Sequence, residues 1–182
     1  AWHSSGTDDT TWPDSTLKSN LNGSAFLTNT TYVPSGWSDY IALMSWKYGD
    51  TKTTNYTAAT MYTKEQTWTN TTDVKIGLMY PSDYYYAYQS GGLNCYSDYS
   101  ICQTSWFHLS NNDSGSPSSY EWTMARYGYD SDSSWYLAWG VDSDGIVGNW
   151  YALNASVAVR PVFYLKSYVT IIYGKGMSTN PY

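Results

Sequence analysis

From residue 73 onward the chain is divided into short runs of apolar and aromatic residues, and this division constrains the fold more than any other feature. "DVKIGLMY", "SWFHL", "YEWTMARYG", "SWYLAWGVD", "GIVGNWYAL", "SVAVRPVFYLK" and "YVTIIYGK" are each the length of a strand, and Gly, Asp, Asn, Ser or Pro separates them. Such spacing predicts an antiparallel β meander. Within it, Val157–Leu165 reads as a mostly buried strand, with Pro161 marking an edge, a bulge or a strand start. Arg160 interrupts that strand. Its guanidinium needs an acceptor wherever it is covered, so Arg160 is expected to be structural and bound to carbonyls or a carboxylate.

The first third is patterned differently. In "WPDSTLKSNLNGSAFL", Asp14 or Ser15 caps a short helix with Leu17 and Leu21 on one face, and Gly23 ends it. "PSGWSDYIALMSW" reads as a second short helix or turn with Trp37, Ile41 and Trp46 facing inward. "NYTAATMYTKEQTW" reads as a third, capped by Asn55 or Thr57, with Ala58, Met61, Tyr62 and Glu65 at helical spacing. In "PSDYYYAY", Ser82 is placed to cap a single helical turn. Helices followed by strands give an α+β class. Residues 1–12 read as an N-terminal arm and residues 13–182 as one domain.

Composition bounds the function. With 42% hydrophobic and 13% charged residues the chain has enough apolar surface for one core. The 21 Tyr and 10 Trp, set among Ser, Thr, Asn, Asp and Gly, suit a β-rich protein working outside the cell. A net charge of −6 with nine Lys plus Arg leaves no basic stripe for a phosphate backbone, so no nucleic-acid partner is expected. No run approaches the roughly 20 apolar residues of a membrane span. Neither a signal peptide nor a pilin-type leading helix is seen, so a secreted protein is met here either matured or cut to its headgroup.

"NCYSDYSIC" holds both cysteines, Cys95 and Cys102, in a polar turn, and the pair is expected to form a short-loop disulfide. Zinc is not expected, because the two histidines are His3 and His108 and the cysteine spacing matches no common finger. Sequons begin at Asn22, Asn29, Asn55, Asn70, Asn112 and Asn154, in keeping with an extracellular glycoprotein. Catalysis is not expected: a nucleophile would have to use His108, and "SWFHLS" reads as a strand with one polar residue. "DSDSSW" and "DSDGIVG" set Asp side chains in turns as calcium loops do, but neither completes an EF-hand loop, and no metal or cofactor is assigned.

The segment from Tyr127 to Tyr151 is the candidate recognition surface, because it mixes rigid aromatics with adaptable Asp, Ser, Asn and Gly. Tyr136, Trp150 and Tyr151 are the expected ligand contacts, flanked by Asp142 and Asp144. Strand alternation assigns about half of such aromatics to a core instead.

The blocks "LNGSAFL", "WSDYIA", "KIGLMYPSDYYYA", "YEWTMAR", "AVRPVFYLKS" and "GKGMSTNPY", in this order, resemble an uncharacterised extracellular domain of Gram-positive surface and type IV pilin-like proteins. That group in turn resembles the C-type-lectin-like and formylglycine-generating-enzyme-like fold. The resemblance implies an extracellular, cell-surface or pilus location and a non-enzymatic role in adhesion, ligand recognition or assembly. The partner would be a glycan or protein on another surface, or neighbouring protomers. Alternatives are a retroelement-diversified ligand-binding protein and a structural filament (pilin) subunit. The reactive cysteines of the sulfatase-activating enzymes have no counterpart at 150–182, so that activity is not carried over.

Overall fold

The computed structural model describes residues 1–4, 11–53, 57–87, 121–132, 134–141, 147–153 and 157–170. Among the described residues three short α-helices, two 3-10 turns and six strands follow one another, and the fold is α+β. Helix α1 spans Thr16–Asn22 and is capped by Ser15, whose side chain accepts from Lys18 N. Leu17 and Leu21 are its buried face. Strand β1, Met44–Lys47, precedes helix α2, Ala58–Thr67, which Thr57 caps by accepting from Thr60 N. Strand β2, Thr71–Val74, pairs antiparallel with β1, and helix α3 covers Pro81–Ala87. The remaining strands are β3 (Glu121–Asp130), β4 (Trp135–Val141), β5 (Val147–Tyr151) and β6 (Ala158–Val159).

Strands β3 to β6 form one sheet in the order β5-β4-β3-β6. The first three are the expected antiparallel meander, but β6 runs parallel to β3, with Glu121 opposite Ala158 and Trp122 opposite Val159. Register shifts between Trp122 and Arg126, and again between Arg126 and Gly128, bend β3 through two bulges. Gly128 sits at φ 120°, a value that residues with a Cβ rarely adopt. The first bulge frees backbone groups that bond outside the sheet. Met124 N donates to Met79 O at 2.9 Å, and Thr123 O accepts from the indole of Trp2 at 3.2 Å.

Both faces of this sheet are covered, which is why β4 is buried continuously from Leu137 to Val141 rather than at alternate residues. One cluster gathers Trp2, Trp12, Leu17, Trp46, Trp122 and Met124; the other gathers Met61, Trp68, Tyr85, Trp139, Val141 and Val147.

Four expectations need correction. The stretch read as an arm is packed at its described ends: Trp2 and Trp12 are each 1% exposed, because their indoles lie tilted against each other inside the first cluster. Trp37 faces outward at 50% exposure on the 3-10 turn Trp37–Asp39, while Trp46 is buried from a strand rather than a helix. Ser82 does not cap α3: it is the second helical residue, and its hydroxyl donates to Glu65, while Asp83 accepts the N–H of Tyr80 at 2.8 Å. The strand expected over Val157–Leu165 is two residues long. Pro161 cannot extend the ladder, and the chain leaves the sheet as a strap with Phe163, Tyr164 and Leu165 exposed.

The strap is held by single bridges, Gly77 with Val162 and Ile41 with Leu165, and by Lys166 N donating to Tyr40 O at 2.8 Å. Asn22 ties α1 to the same region. Its Oδ1 accepts from Lys75 N and Ile76 N, and its Nδ2 donates to Lys18 O and Ile76 O. Both amide hydrogens of this sequon are therefore committed inside the fold. No helix among the described residues is long and apolar enough to cross a membrane.

Candidate functional site: an aromatic groove with a carboxyl floor

Helix α2 and the start of α3 pack side by side, and the strap crosses in front of them. They leave a groove of about 330 Å³. Trp46, Leu78 and Val162 form its apolar base, and Tyr62, Tyr86 and Tyr164 stand around it at 47%, 54% and 54% exposure. Helical spacing explains the pair on the helices: Tyr62 lies outward of the buried Met61, and Tyr86 outward of the buried Tyr85. Their rings meet edge to face at 6.0 Å. Tyr164 is tilted against Trp46 at 5.7 Å.

Two carboxyls line the groove. Glu65 on α2 is 5% exposed and accepts from Ser82 N at 3.0 Å and from the Ser82 hydroxyl. Burial pushes its pKa up to about 7 against the restraint of the Ser82 bonds. Asp83 is on the exposed side; its Oδ2 takes the Tyr80 N–H, and Oδ1 accepts no hydrogen bond among the described residues. Tyr80 donates its hydroxyl to Lys47 O at 2.9 Å, and its pKa is raised, first by burial and then by Glu65. Lys47, the cation on this lining, turns its Nζ to Gln66 O at 3.3 Å. Flat apolar faces with acceptors beside them can stack a ring and bond its donors.

The residues singled out from sequence lie elsewhere, and they do not form one set. Tyr136 and Trp150 share a face of the β4–β5 pair, as the register Ala138 to Trp150 dictates, and Tyr151 is on the other. Tyr136 is half-buried, beneath the Arg126 guanidinium at 5.4 Å and against Tyr129 at 5.2 Å. Trp150 is half-buried over the gap left by Gly140 and Gly148, where an added Cβ would stand 3.1 Å and 3.0 Å from its ring. Tyr151 is 49% exposed and meets Trp135 edge to face. Asp142, Asp144, Cys95, Cys102 and His108 lie outside the described residues. Arg160 is half-buried, as is its partner Glu121, whose Oε2 also accepts the hydroxyl of the buried Tyr84 at 3.1 Å. Burial, and then the charge of Glu121, raises the Tyr84 pKa. Among the described residues, no group of three or more His, Cys, Asp or Glu side chains is placed to hold a metal ion.

The groove escaped sequence reasoning because its lining comes from four separated segments. A local signal did exist: Glu65 is an acidic residue on the apolar face of α2. Comparison of the chain with protein-family models, curated proteins and solved structures finds no match.

Proposed function

We propose that the chain is a non-enzymatic recognition domain of a bacterial surface or pilus protein, of C-type-lectin-like type, and that it binds a glycan in the groove beneath Tyr164. The observation that carries this reading is the groove itself: three exposed tyrosines stand around it and Asp83 lines it with an oxygen that accepts no hydrogen bond among the described residues. Rigid aromatic faces give contact area at little entropic cost, and an acceptor beside them orients a hydroxylated ring. The extracellular address rests on the sequence blocks quoted above and on the aromatic-rich, acidic composition.

A glycan array on the purified domain, followed by titration of the best hit, tests the reading. Tyr164→Ala should weaken binding about fivefold or more with little change in melting temperature. If Tyr164→Ala binds normally while Tyr151→Ala does not, the β4–β5 edge is the site instead.

One observation favours an assembly role as a second reading. Trp37, Tyr40, Leu43, Phe163, Leu165 and Tyr168 are all at least 40% exposed, on two segments joined by the Ile41–Leu165 bridge. An apolar strip of this kind suits contact with a second copy of the chain. Concentration-dependent sedimentation that Trp37→Ser abolishes would support it.

A further inference from the structure

We infer that the groove selects an amino sugar bearing a free, protonated amine, with Asp83 as the ammonium partner and the tyrosine faces around it. The inference rests on the reading of the groove as a glycan site and adds the chemical class. Asp83 is the decisive residue. One of its oxygens is used to hold Tyr80 N; the other accepts no hydrogen bond among the described residues, and the residue lines the groove. Glu65 lies behind it, with both of its oxygens engaged by Ser82. Lys47, on the same lining, gives its Nζ to Gln66 O, so Asp83 has no ion-pair partner in the groove among the described residues.

The aromatic walls act in the same direction. The faces of Tyr62, Tyr86 and Tyr164 carry the negative side of the ring quadrupole and attract an ammonium group brought close to them. An acidic sugar would be repelled by Asp83 and by the net charge of −6. A neutral or N-acetylated sugar could stack on the tyrosines, yet it would give Asp83 only a hydroxyl or amide donor. A protonated amine satisfies the carboxylate and the ring faces together, through a charge-assisted hydrogen bond. The volume, about 330 Å³, is at the small end of ligand pockets and suits sugar rings better than a folded partner.

The test compares chito-oligosaccharides of one length, fully acetylated and fully de-acetylated, by calorimetric titration at mildly acid pH. Wild type should prefer the free amine by about fivefold or more. Asp83→Asn should erase that preference while keeping an oxygen for Tyr80 N. Asp73→Asn, at an exposed position on β2, makes the same change in net charge and should leave the preference intact. Equal binding of the two oligosaccharides, or equal loss in both Asn variants, overturns the amine assignment and leaves the glycan reading standing. If neither oligosaccharide binds and no other glycan does, the groove reading fails and the amine assignment fails with it.

Discussion

The guanidinium of Arg160 meets the carboxylate of Glu121 along both edges, with Nη2 2.6 Å from Oε1 and Nε 3.1 Å from Oε2. Since Glu121 also holds the Tyr84 hydroxyl, this pair joins the residue that follows β6, the start of β3 and helix α3. Arg160→Met leaves a half-buried carboxylate facing an apolar side chain. It should lower stability by roughly 1–4 kcal/mol, read as a fall in the urea midpoint at unchanged slope. An unchanged midpoint would show the pair to be energetically idle.

Glu65 should make stability fall as pH rises. Its pKa goes from an ordinary 4.5 to about 7 in the folded protein, so between these values the folded state binds more protons than the unfolded one. Stability is then greatest below the lower value and is lost progressively up to the higher one, by roughly 3 kcal/mol in total. Glu65→Gln keeps partners for Ser82 without a charge. Its melting temperature should change less over that window, and a wild-type profile in the variant would assign the dependence elsewhere.

Trp150 and Tyr151 are adjacent in sequence but should respond oppositely to truncation. Trp150→Ala uncovers Gly140 and Gly148 and should cost about 2–4 kcal/mol. Tyr151→Ala, at an exposed ring, should cost less than about 1 kcal/mol. Thermal melts of the two variants give the comparison, and equal losses would contradict the face assignment.

The first residues should matter to the whole domain. Trp2→Ala removes a side chain that is 1% exposed and hydrogen-bonded to Thr123 O, and should cost about 3–5 kcal/mol. Trp2→Phe should recover part of that loss. A Trp2→Ala variant as stable as wild type would restore the picture of a detached arm.

How much of this was legible beforehand differed by the range of the interaction. The caps at Ser15 and Thr57, the buried faces of α1 and α2 and the antiparallel β3–β4–β5 run follow from local periodicity and turn chemistry. Burial of Trp2 does not, because the carbonyl that takes its indole N–H, Thr123 O, lies 121 positions away and the polar residues around it carry no period. The strap was read as a strand because Val162, Phe163, Tyr164 and Leu165 have strand-type side chains. One residue, Pro161, outweighed their propensity. The joint contact set of Tyr136, Trp150 and Tyr151 could not survive alternation, since neighbouring residues on one strand face opposite ways. Arg160 was recognisable as a group in need of an acceptor, but Glu121 lies 39 positions earlier, and only the parallel β6–β3 pairing brings them together.

The way the two ends of the described chain are used also bears on how the molecule acquires its shape. His3 N donates to Ala152 O, Trp2 bonds Thr123 O, and the strap closes onto Tyr40 and Gly77. A growing chain therefore cannot complete the cluster around Trp2, Trp46 and Trp122 until Val157 and Val162, which pack on it, have left the ribosome. Because these closures span most of the sequence, their loop entropy must be met before the contacts give anything back, and folding should take milliseconds to seconds rather than microseconds. Until then the indoles of Trp2, Trp12 and Trp122 are open to solvent together. Their burial would report that closing step as one fluorescence change.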